Sequence, residues 1–141
     1  MNRAALESLL TEMDRHVSLL ECVRSTPRAE FLHDPRHHLF AERCFQLAIQ
    51  CLLDVCYHVA ARSGWAKPED GAAAIQRMAE HGVIPKEFAD KIQPMVNFRN
   101  ILVHAYLNIN RELVHANLDY LDDFRSFQRH ILTYLSITPS P

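Results

Sequence analysis

Residues 35–62 read PRHHLFAERCFQLAIQCLLDVCYHVAAR. Phe40, Cys44, Ala48, Cys51, Val55 and Val59 recur every three or four positions, so on a helix they form one apolar stripe. Phe45, Ile49, Leu52 and Cys56 make a second stripe beside it. Two adjacent stripes need apolar neighbours on several sides, which predicts a central helix in an all-helical bundle. Asp34-Pro35 supplies the start, an N-cap followed by a proline in the first turn. Ser63-Gly64 supplies the end, with Gly64 in the capping role. A polar row of Gln46, Gln50, Asp54 and His58, each four apart, runs along the same helix. It is either a solvated face or a face turned towards another functional segment.

Outward from this helix the periodicity stays helical. Leu6, Leu9, Leu10, Met13, Val17, Leu20 and Val23 predict a first helix from 3 to about 25, ended by Thr26-Pro27 and followed by a loop. Trp65 to Pro68 reads as a connector, with Trp65 as its anchor. Ala72, Ile75, Met78 and Ala79 lie inward on a short helix from 69 to about 81, which Gly82 ends. Pro85 can open the next segment, and Pro94 should kink or break it near Gln93 because proline cannot donate the i to i−4 bond. A further helix is predicted from 94 to 106. After a turn, with Asn110 as N-cap, a last helix spans about 111 to 135 on Leu118, Leu121, Phe124, Ile131, Leu132 and Leu135. The expected fold is an all-α, up-and-down bundle of about five helices. It forms one domain over 1–137, with a flexible tail at 138–141.

Composition narrows the function. The chain has 141 residues, 48% of them hydrophobic, enough for one cored domain. The formal charge of −2 argues against a general polyanion binder, so any basic surface must be local or built by assembly. Cys22, Cys44, Cys51 and Cys56 form no CxxC pair; Cys44 and Cys51, seven apart, share one apolar helix face, and reduced core thiols are the better reading. His33, His37 and His38 beside Asp34 match no closed zinc motif, and a solvated loop is preferred there. No metal or cofactor is expected. Residues 1–20 lack a signal peptide's apolar block, and no run of ~18 uninterrupted apolar residues occurs. A cytoplasmic protein without membrane or DNA partners fits.

The chemistry concentrates in Phe98-Arg99-Asn100-Ile101-Leu102-Val103-His104-Ala105-Tyr106. Asn100 and His104 are four apart and share a helix face, with Arg99 beside them. Arg99 is a permanent cation with paired N–H donors for phosphate, and His104 is a proton-transfer group near neutral pH. Asn100 can bond phosphate or fix the His104 ring, and Tyr106 can position the scissile group or stack on a base. Together they can bind and cleave a phosphodiester. RNA carries its own nucleophile, the 2'-hydroxyl. Cleavage then needs a base, an acid and a cation for the phosphorane, and no metal. One chain offers one such histidine, so an acid–base pair calls for a symmetric dimer. Asp54 or Gln50 on the central helix would face this segment and orient Arg99 or His104.

This segment resembles the Arg-x4-His-x-Tyr signature of HepT-like proteins, within the all-helical HEPN superfamily. Glu42 to Gln50 leading to Leu53-Asp54, and the approach from Met78 to Pro85, resemble the family too. Asn97 stands where the family pattern has glycine, and Asn110 where it often has an acidic residue. The resemblance implies a ribonuclease toxin of a type VII-like toxin–antitoxin pair, acting on tRNA or mRNA, with Arg99 and His104 catalytic in a homodimer-interface cleft. It also implies an MntA-like nucleotidyltransferase antitoxin that transfers AMP to Tyr106. The alternative is a non-catalytic helical module that binds a nucleotide or a protein.

Overall fold

The computed structural model describes residues 3–137; the tail expected at 138–141 lies outside them. Among these residues eight α-helices follow one another: α1 (Arg3–Arg24), α2 (Arg28–His33), α3 (Pro35–Arg62), α4 (Gly71–Glu80), α5 (Lys86–Ile92), α6 (Pro94–His104), α7 (Arg111–Asn117) and α8 (Asp122–Ile137). Two 3-10 turns, Tyr106–Asn108 and Leu118–Tyr120, complete the order, and no strand occurs among the described residues.

The doubly striped segment is the axis. Ala41, Cys44, Phe45, Ala48, Ile49, Leu52, Leu53, Val55, Cys56, Val59 and Ala60 are all buried on α3. α1 packs along it most extensively, α4 and α6 lie on another side, and α2 and α7 close its beginning. α8 returns against α1, where Arg125 pairs with Asp14 and with Glu21 (2.7 Å) and also reaches Ser18. One apolar cluster runs through all of these elements. By length and composition alone α3 would suffice to cross a membrane, but it is the buried core helix of this bundle.

The caps act as their residue types dictate. Asp34 accepts from Arg36 N at 2.9 Å and opens α3, with Pro35 in the first turn. Asn110 accepts from Glu112 N and Leu113 N and opens α7. After Ser63 the chain turns back through Gly64 at φ +73°, a left-handed conformation that glycine adopts without a Cβ penalty. At Gly71 the constraint is approach: a Cβ there would lie 3.1 Å from Val96 and 3.3 Å from Leu53, so α4 sits close on both α3 and α6.

Three boundaries differ from the sequence expectation. The loop after Pro27 contains α2, which buries Phe31, and the histidine cluster therefore belongs to a helix junction rather than a solvated loop. Asp34 is committed there to the cap and to Arg36, and His38 is buried with its Nδ1 3.4 Å from Glu42. The last helix is broken at Leu118–Tyr120, which divides α7 from α8. The motif helix stops at His104, so Tyr106 lies beyond it in a 3-10 turn.

Candidate functional site

α6 exists as a separate helix because of Pro94. Gln93 ends α5 and begins α6, and Pro94 occupies the first turn, where its missing N–H costs nothing. Phe98 and Leu102, four apart, are the buried anchors of α6. Phe98 meets Phe45 of α3, while Val96 and Leu53 border the same point at Gly71. As α6 advances α3 runs backwards, so the two helices are antiparallel. The C-terminal end of α6 therefore points towards the start of α3.

This register sets the four signature side chains in sequence along α6 and its exit. Arg99 and Asn100 are half-buried, whereas His104 and Tyr106 are exposed, Tyr106 at 69%. The Nε of Arg99 is buried without a hydrogen-bond partner among the described residues. A buried guanidinium N–H left unpaired is costly, so it can take an acceptor brought by a ligand; Arg62 Nη1 and Arg77 Nε share that state, and Arg99 is the arginine of the three on the motif helix. Asn100 borders a groove of about 370 Å³ with Ala72, Gln93 and Asn97. Behind that groove Gln76 donates to Gln93 (2.6 Å) and to Asp90 (3.0 Å), and Lys86 donates to both Gln76 and Asp90. No hydrogen bond or ion pair joins any two of Arg99, Asn100, His104 and Tyr106 among the described residues.

On α3, the row Gln46, Gln50, Asp54, His58 is half-buried, and Gln50 Nε2 donates to Asp54 Oδ1 at 2.9 Å. One turn on, Tyr57 registers what surrounds it. Burial pushes its phenol pKa up, Asp70 adds to that, Arg99 pulls it down, and Cys56 and Asp54 push up again. Arg99 from α6, Asp54 from α3 and Asp70 from the cap of α4 therefore share one electrostatic neighbourhood around the Tyr57 hydroxyl. Sequence reasoning passed over Tyr57 and Asp70. The available signal was the i to i+3 offset from Asp54 to Tyr57, which keeps both on one face.

Five of the exposed large apolar side chains belong to the start of α3 and to the segment after α6, while Tyr120, Leu132 and Ile137 lie elsewhere in the chain. Leu39 and Phe40 lie at the start of α3, Tyr106 and Leu107 follow α6, and Leu113 is on α7. Buried thiols are suppressed as nucleophiles: burial raises the pKa of Cys51 to about 11 and that of Cys56 further, and Cys22 alone among the cysteines is exposed.

The family model described as ribonuclease HepT-like matches residues 13–131. A tRNA nuclease HepT of Aphanizomenon flos-aquae is 24% identical over 131 residues, covering 92% of this chain and 89% of that protein. An mRNA nuclease HepT of Shewanella oneidensis is 26% identical over 83 residues, covering 58% of this chain and 62% of that protein. The solved structure of a tri-AMPylated Shewanella oneidensis HEPN toxin in complex with an MNT antitoxin superposes with a TM-score of 0.84 at 21% identity, over 94% of this chain and 99% of that one. That likeness establishes the fold.

Proposed function

Since the chain belongs to the HepT-like ribonuclease family, we propose that it is a metal-independent endoribonuclease toxin whose active centre is carried by Arg99 and His104. The observation that carries this reading is the buried, unpartnered Nε of Arg99, five residues before the exposed His104 on the same helix. A phosphate oxygen would satisfy that N–H and place the phosphorus beside the histidine. One His104 takes the proton of the ribose 2'-hydroxyl. The 2'-oxygen attacks phosphorus, Arg99 bears the charge of the phosphorane, and the 5'-oxygen leaves with a proton. The products are a 2',3'-cyclic phosphate and a 5'-hydroxyl. Asn100 orients the phosphate, and Asp54 holds the local field around Arg99.

The proton donated to the leaving oxygen comes from His104 of a second copy. Leu39, Phe40, Tyr106, Leu107 and Leu113 offer the apolar area for such a homodimer at the end where His104 emerges. Regulation follows from exposure. Tyr106 stands clear of the bundle, available to an MntA-like nucleotidyltransferase antitoxin. Its phenol oxygen attacks the α-phosphorus of ATP, pyrophosphate leaves, and the attached AMP puts a phosphate where RNA would bind. tRNA or mRNA is the substrate class, as in the two HepT relatives.

The test is cleavage of total RNA in EDTA by wild type and by His104→Ala, with analysis of product ends. The expected result is cleavage by wild type alone, leaving cyclic phosphate ends. No cleavage by an unmodified, dimeric wild type would favour the non-catalytic interaction module instead. With the antitoxin and ATP, wild type should gain the mass of AMP and Tyr106→Phe should not.

A further inference from the structure

Beyond the catalytic residues, the connector after α3 forms a pocket of about 330 Å³ walled by Tyr57, His58, Ala61, Trp65, Lys67 and Pro68. Its walls are mostly apolar and aromatic, with one ammonium at the rim, because Lys67 is exposed. Trp65 does not hang loose there. Its indole stacks on the His81 imidazole with ring centroids 3.7 Å apart and planes within 6°. Its backbone N–H donates to Ala60 O at 3.0 Å, and Gly64 turns the chain to bring it there. A rigid aromatic wall loses little further freedom when a flat ring packs against it, which makes stacking on it productive.

We propose that this pocket is a nucleobase subsite, holding an unpaired base of the RNA strand whose neighbouring phosphate Arg99 grips. The inference rests on the ribonuclease reading above and adds where the strand lies. Tyr57 carries the connection: it walls the pocket and lies one turn past Leu53, which meets Val96, one turn before Arg99, at Gly71. A strand with a phosphate on Arg99 therefore passes the pocket mouth within reach of Tyr57. Lys67, exposed at the rim, supplies a cation for the next stretch of backbone. Few polar groups line the walls, so the subsite accepts any base by stacking and discriminates weakly among them. It selects single-stranded segments, because a paired base cannot enter.

Trp65 is the sole tryptophan, and its emission reports the pocket without a label. In His104→Ala protein, a single-stranded oligoribonucleotide should quench that emission as it binds. A matched oligomer of abasic ribose phosphates should bind more weakly, by anisotropy, and leave the emission unchanged. In the active background Trp65→Leu should raise KM for short single-stranded RNA about tenfold with little change in kcat. Lys67→Gln, a surface change that leaves the fold alone, should raise KM less and flatten its salt dependence. RNA that is bound and cleaved with unchanged Trp65 emission and unchanged KM in both variants would overturn the subsite and leave the ribonuclease standing. RNA that is neither bound nor cleaved by wild type would overturn both.

Discussion

Phe98 meets Phe45 edge to face, ring centroids 5.3 Å apart and planes at 72°. Phe98 is the residue immediately before Arg99, so the contact that locks α6 onto α3 also fixes where the guanidinium leaves the helix. Phe98→Ala should cost about 3 kcal/mol in chemical denaturation, from lost burial and the cavity left behind. Cleavage should fall even under conditions where the variant is fully folded, because Arg99 is no longer held. Phe98→Leu should cost about half as much and keep most of the activity.

Arg99 has no hydrogen-bond partner for its buried Nε. Arg99→Lys keeps the charge but loses the planar fork that grips two phosphate oxygens. The expected result is a loss of about 100-fold in kcat, with a melting temperature close to wild type. Equal activity in the lysine variant would show that only charge is required.

Asn110 opens α7 by accepting from two backbone amides. Asn110→Asp should preserve the cap and stability. Asn110→Ala should cost about 1 kcal/mol, read as a lower denaturation midpoint. Arg111 reaches Leu32 O at 3.1 Å, so loosening α7 should also raise hydrogen exchange in α2.

Stability should fall in two acid steps. Burial lowers the pKa of His16 from its ordinary 6.5, more than Glu12 at 3.7 Å raises it. The unfolded chain then binds a proton more readily than the fold, so stability is full above pH 6.5 and declines below it. His16→Gln should flatten that decline in a pH series of melting curves. Asp34 is held down to about 2 by the hydrogen bonds from the Arg36 side chain and backbone. Its contribution is complete above 3.8 and is lost as pH falls through about 2, a loss that Asp34→Asn should abolish.

Local rules carry what is local. The two stripes of α3, the caps at Asp34 and Asn110 and the break at Pro94 each depend on residues within a turn or two of one another, and all are legible in the chain. α2 is not, because six residues span fewer than two turns and their Pro27 start carries no capping side chain. The division of α7 from α8 escaped for a related reason: the apolar spacing of Leu118 and Leu121 continues unchanged through the 3-10 turn. Among the site residues, Arg99 and His104 stand out by type and offset. The meeting of α3 and α6 at Gly71, which brings Tyr57 and Arg99 to one region, and the stack of Trp65 on His81 arise from segments brought together by the fold, which no spacing along the chain encodes.

The helix ends at His104, and that division has a kinetic side. Arg99 and Asn100 lie within α6, pinned by Phe98 and Leu102, where amides open only with the bundle. Just past it, Tyr106 and Leu107 are exposed at 69% and 83%, and Ala105 and Asn108 close their turn with single backbone bonds to Ile101 and Ala105. Such a turn frays and re-forms many times for each opening of the helix before it. On the proposal above, an enzyme that must draw the phenol into its own active site can wait for a local fluctuation, while the guanidinium seven residues upstream is held within α6.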